Sequence, residues 1–134
     1  MINLNPRGAL GQLSREDGIA TSAIVLPGTV LLVVVALQAA LWFLGSNVAQ
    51  NAAVQAYRDA RGYQSSTNAG TASASRVLTE IDGYLTYPKV QVERTATTVT
   101  VTVTGESLSL IPGLPMPPVK RTMTGPVERW VPAP

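Results

Sequence analysis

The sequence predicts an α+β protein, with a long apolar N-terminal helix that spans a membrane, followed by a short helix packed on a small antiparallel sheet. Three observations predict it. Residues 18–57 carry no charge, and within 19–45 Gln38 is the one strongly polar side chain. Pro88 closes the last helical pattern. From Lys89 the apolar period changes from 3.6 to 2, as a half-buried strand requires.

The uncharged run divides the chain into three parts. Residues 1–17, "MINLNPRGALGQLSRED", mix proline, glycine and charge without helical period and predict a flexible leader. Residues 18–61 predict the long helix, membrane-spanning over about 19–45, and 62–134 an extracytoplasmic α+β head. The apolar run is about twice the 7–15 residues of a secretory signal, which disfavours a cleaved signal and a freely secreted domain. After Gly45, "SNVAQNAAVQAYRDAR" has no proline or glycine and is rich in helix formers, so the helix continues to Arg61 and stops at Gly62. About 40 helical residues rise about 60 Å, twice the hydrocarbon thickness, so half of the helix stands outside the bilayer or inside an assembly.

Pro27 and Gly28 lie near the start of the apolar run. Pro27 has no amide to give to the Ala23 carbonyl, so it either kinks the helix or sits in the first turn of one that starts near Ser22 or Ala23. Small residues recur at spacings of four in Gly45, Ala49 and Ala53, in Ala52, Ala56 and Ala60, and in Ala36 and Ala40. Such ladders let helices approach closely in lipid, although chance spacings of alanine are frequent. Past the bilayer edge an uncharged alanine surface is best explained if it is covered, by the head or by neighbouring subunits.

In the head, "GYQSSTNAGT" reads as a loop and "TASASRVLTEIDGYL" as a helix with Val77, Leu78, Ile81 and Leu85 on its apolar face. "KVQVERT" and "TTVTVTVTG" alternate valine with polar residues and predict two strands joined by a turn at 95–97. Leu108 and Leu110 suggest a third strand. A stiff proline-rich loop, "IPGLPMPP", and a last strand near 119–124 follow.

The chain has 134 residues with no cysteine and no histidine, which excludes thiolate and imidazole metal sites, disulfides and His-assisted nucleophiles. A net charge of +2 with 13% charged residues is too sparse for a nucleic-acid surface. The carboxylates Glu16, Asp17, Asp59, Glu80, Asp82, Glu93, Glu106 and Glu128 are scattered, and Glu80 and Asp82 do not face each other on a helix. No phosphate loop or nucleophile elbow occurs. The reading is therefore of a non-enzyme with no cofactor and no metal, whose partners are the lipid bilayer and other protein subunits, with a homo-oligomer among the options. Arg7 and Arg15 before the span nearly balance Arg58 and Arg61 after it, so charge alone leaves the orientation open.

Four stretches, "AIVLPGTVLLVVVALQAALWF", "NVAQNAAVQAYRDARG", "VTVTVTGESLSLIPGLPMPP" and "GPVERW", occur in this order over most of residues 18–130. In this the chain resembles the TadE-like family, pseudopilins of tight-adherence (Flp-type) pilus systems, in their actinobacterial form. The resemblance implies a pilin-like structural or assembly subunit, partnered by other pilus or pseudopilin subunits and by platform proteins. It also implies a cytoplasmic N-terminus, an external head and prepilin-type cleavage between Gly18 and Ile19. Ala23 stands where the family usually carries the glutamate that pairs with a neighbouring subunit, which is a departure from the pattern. The rival reading, from a different class, is a membrane-anchored binding module that does not assemble.

Overall fold

The computed structural model describes the backbone of residues 6–134 and the side chains of residues 18–134. It contains α1 (Pro6–Arg61), α2 (Thr67–Glu80), β1 (Leu85–Arg94), β2 (Thr98–Ser107) and β3 (Val119–Pro126). The chain divides into two compact units, one ending at Leu37 and the other running from Gln38 to Pro134. The predicted α+β class, with a long apolar helix, a short helix and an antiparallel sheet, is the observed one.

Helix α1 is 56 residues long and begins well before the expected onset at 18–21. Residues 6–17 therefore belong to a helix and not to an irregular leader, while 1–5 lie outside the described residues. Pro6 stands at the first helical position, where its missing amide is harmless and its fixed φ suits the helix. Pro27 lies inside α1, which corrects the reading of Pro27 and Gly28 as a helix start. Within this first unit Ser22 Oγ donates to the Gly18 carbonyl at 2.9 Å and Thr29 Oγ1 to the Val25 carbonyl at 2.8 Å. Both hydroxyls thus find partners on their own helix.

In the second unit three strands form an antiparallel meander in the order β1-β2-β3. Val99, Val101 and Val103 of the central strand are fully buried, and their neighbours in register are Arg94, Val92 and Val90 on β1 and Gly125, Met123 and Arg121 on β3. The threonines between these valines lie on the opposite face, where Thr102 and Thr122, and Thr100 and Thr124, meet across the strands. Pro88, which has no amide for a ladder, falls in the register shift between Thr86 and Lys89 on edge strand β1. The β1–β2 turn is closed by Thr95, whose amide donates to the Thr98 carbonyl at 2.8 Å while its Oγ1 accepts from the Thr98 amide at 3.0 Å. This matches the turn expected at 95–97.

The valine face is covered by the distal part of α1. Val48, Ala49, Ala52, Ala53, Ala56, Tyr57 and Ala60 form one core with Val99, Val101, Val103, Val119, Leu85 and Ala74. The helix ends at Arg61 as expected, and its carbonyl accepts from the Glu128 amide at 2.9 Å. Gly62 does not adopt the left-handed geometry of a glycine cap; Gln64, at φ 58, turns the chain instead.

Helix α2 starts earlier than the sequence suggests, at Thr67, because Ser66 caps it by accepting from the Ala69 amide at 3.3 Å. Its buried face is made of Gly70, Ser73 and Ala74, with Val77 and Leu78 half-buried. Ile81 lies just past the helix and is exposed, and Leu85 belongs to β1, so neither extends that face. Gly70 is required by proximity: a Cβ there would stand 2.9 Å from both the Ala56 carbonyl oxygen and Ala60 Cβ. The strand expected at Leu108 and Leu110 is not formed, and 108–118 is a loop.

Ala56→Leu is expected to overpack this core and destabilise the head by about 1–3 kcal/mol. Ala40→Leu, at an exposed position, leaves the melting temperature unchanged. Thermal unfolding of the two variants in detergent checks both.

Candidate functional site

The candidate site is the uncharged surface of α1 and the part of the head that meets it. From residue 18 to 37 every turn of the helix presents apolar side chains outward, with Ile24 76%, Leu26 67% and Leu32 71% exposed. This stretch of about 20 residues rises about 30 Å, the thickness of a bilayer core. Among the described residues it is the one helix long and apolar enough to cross a membrane. Gly18 and Ile19, the candidate cleavage junction, are exposed within the helix, and a Cβ at Gly18 or Gly28 would touch nothing.

The small-residue ladders separate into two sets. Ala49, Ala52, Ala53, Ala56 and Ala60 are all 0% exposed, packed beneath the sheet and α2 of their own chain. Gly45 is also buried, and a Cβ there would come within 2.9 Å of the Tyr84 carbonyl oxygen. Ala36 and Ala40 remain exposed. The covering of the distal ladders is therefore intramolecular, and only the shorter ladder is left open to another chain or to lipid.

Gln38 marks the change from one unit to the next. It is 6% exposed, its Nε2 donates to the Leu108 carbonyl at 2.9 Å, and its Oε1 accepts from the Leu110 amide at 2.8 Å. The carboxamide thus replaces a strand neighbour for the loop backbone. One turn on, Trp42 Nε1 donates to the Pro117 carbonyl at 3.2 Å, and Arg121 Nη2 donates to Ser46 Oγ at 2.9 Å. Sequence reasoning did not assign Gln38, Trp42 or Ser46 a role. The available signal was Gln38 itself, the lone strongly polar side chain of the apolar run.

The carboxylates stay apart. Asp59 accepts from Ser73 Oγ, Asp82 caps the Gly83 amide at 2.8 Å, and Glu128 pairs with Arg61 at 2.8 Å. The Arg61 guanidinium is held above its ordinary range, first by the Tyr57 side chain and then by Glu128, so it stays charged. Among the described residues no group of three or more acidic side chains is placed to hold a metal ion.

Comparisons with family models, with curated proteins and with solved structures give no match.

Gln38→Leu is expected to leave the Leu108 carbonyl and the Leu110 amide unpaired, at about 1–3 kcal/mol. The loss should be confined to the loop: faster amide hydrogen exchange at Leu110 and easier proteolysis within 108–118, with exchange in β2 unchanged.

Proposed function

We propose that this chain is a single-pass, pilin-like structural subunit, of the kind that primes or enters a tight-adherence pilus or a related secretion assembly. In this reading α1 lies in the cytoplasmic membrane, with its N-terminus inside and the head outside. The observation that carries the reading is the exposed, uncharged apolar surface of residues 18–37, on a helix that also forms the spine of a small α+β head. The sequence stretches that resemble the TadE-like family support it. With the distal alanines covered, the subunit contacts fall to the proximal helix, where Ala36 and Ala40 permit close approach.

The rival is a membrane-anchored extracytoplasmic binding module. The burial of Ala49, Ala52, Ala53, Ala56 and Ala60 in their own head favours it, because that burial explains an uncharged distal helix without any neighbouring subunit.

Because the chain has no cysteine, single-cysteine scanning of 30–40 in cells separates the two. An assembling subunit is expected to give intersubunit disulfides with helical periodicity, strongest at Ala36→Cys and Ala40→Cys, and to lose them when the other of the two alanines becomes leucine. Absence of periodic crosslinks favours the anchored module. Mass spectrometry of the mature chain adds a second test, since prepilin-type processing yields a chain starting at Ile19.

A further inference from the structure

The loop between β2 and β3, residues 108–118, has apolar side chains that the head leaves uncovered. Leu110 is 50% exposed, Leu114 45% and Ile111 39%, and no residue of the loop is charged. In water such a loop is an unfavourable surface.

The position of the loop on α1 is set by hydrogen bonds within the head. Gln38 holds Leu108 and Leu110, and Trp42 holds Pro117. Gln38 is the first buried residue after the apolar run of 18–37, in which Val34 alone is half-buried, and beyond it Phe43 and Leu44, 60% and 43% exposed, continue the apolar surface. If residues 18–37 fill the bilayer core, Gln38 and Trp42 lie at headgroup depth, and the loop they hold lies there too. An aromatic side chain besides Trp42 lies against the end of the loop. Tyr87, 80% exposed, lines a shallow depression with Lys89, Glu106 and Pro118, the residue after the Pro117 that Trp42 holds. Tryptophan and tyrosine concentrate at the membrane–water boundary because their rings are apolar and their edges polar.

The loop backbone is also suited to leaving water. An unpaired amide is costly in lipid. Here Pro112, Pro115, Pro117 and Pro118 have no amide hydrogen, and the Leu110 amide is bound by Gln38. Ile111 donates to Ser109 Oγ at 3.3 Å, and Leu114 to the Ile111 carbonyl at 3.2 Å.

We propose that residues 108–118 form an interfacial membrane wedge, in which Leu110, Ile111 and Leu114 enter the boundary between lipid headgroups and acyl chains and dock the head on the bilayer. The occupant is lipid, because the loop is fastened to the first covered turns of α1, where Phe43 and Leu44 stay exposed, carries no charge, and has the Leu110, Ile111 and Leu114 amides paired. The inference rests on residues 18–37 spanning the membrane, as proposed above.

The test uses full-length protein in phosphatidylcholine and phosphatidylglycerol vesicles, with an environment-sensitive fluorophore on Ile111→Cys, Leu114→Cys, Val30→Cys or Thr102→Cys. Expected are blue-shifted emission at 111 and 114, quenched by lipids spin-labelled near the headgroup end of the acyl chain. Quenching at 30 is expected from labels near the chain end, and water-like emission at 102. Water-like emission at 111 and 114 with lipid quenching at 30 overturns the wedge and leaves the span intact. A blue shift at 111 and 114 without lipid quenching overturns it in favour of cover by a second protein chain. Loss of lipid quenching at 30 overturns the span itself, and the wedge with it.

Discussion

The head depends on how closely its sheet and second helix approach α1 between Gly45 and Ala60. A helix normally presents leucine-sized side chains to a sheet; here it presents Ala49, Ala52, Ala53, Ala56 and Ala60, each fully buried. The bulk of the interface comes from the other side, from Val99, Val101, Val103 and Val119. Small residues on one partner and β-branched ones on the other fill the space at ordinary packing density without a large hydrophobic payload from the helix. The same closeness makes Gly45 and Gly70 obligatory, since in both cases a Cβ would meet a carbonyl oxygen at 2.9 Å. Three elements are thus brought together by atoms that are absent from side chains.

This constraint separates two regimes along α1. On the side away from the sheet, the distal turns expose Asn47, Asn51 and Arg58, which water can solvate. From Gly18 to Leu37 every residue but half-buried Val34 is exposed, and most of them are apolar. Gln38 joins the two regimes. A glutamine in an apolar run is costly unless both ends of its carboxamide are satisfied, and the backbone of Leu108 and Leu110 satisfies both.

The apolar run, the strand alternation of 98–105 and the last strand were legible because each rests on a period local to its segment. The helix end at Arg61 was legible as well, although the tie from Glu128 that satisfies its carbonyl comes from far along the chain. What could not be read was decided by tertiary partners. Leu108 and Leu110 alternate as a strand should, but Gln38 takes the hydrogen bonds a neighbouring strand would make. The apolar face of α2 looked like Val77, Leu78, Ile81 and Leu85, whereas the close approach to α1 selects Gly70, Ser73 and Ala74. Pro27 left a kink and a helix start both open, because it has no amide for the Ala23 carbonyl, and α1 runs through it. The alanine ladders were visible as ladders, but no local signal says whether a buried alanine faces its own sheet or another subunit.

That last ambiguity bears on function. Once Ala49, Ala52, Ala53, Ala56 and Ala60 are committed to the head, another chain cannot use them without displacing the sheet, at the cost of the whole valine core. Any contact between copies along α1 is therefore confined to the proximal turns, or to the outward side of the distal helix around Asn47, Asn51 and Arg58. Under the proposed membrane location, exclusion of water contributes nothing to association, so the proximal turns would associate only through close fit. Ala36 and Ala40 are one helical turn apart and both exposed, next to bulky Val33 and Leu37, a pattern of gap and ridge on the same stretch.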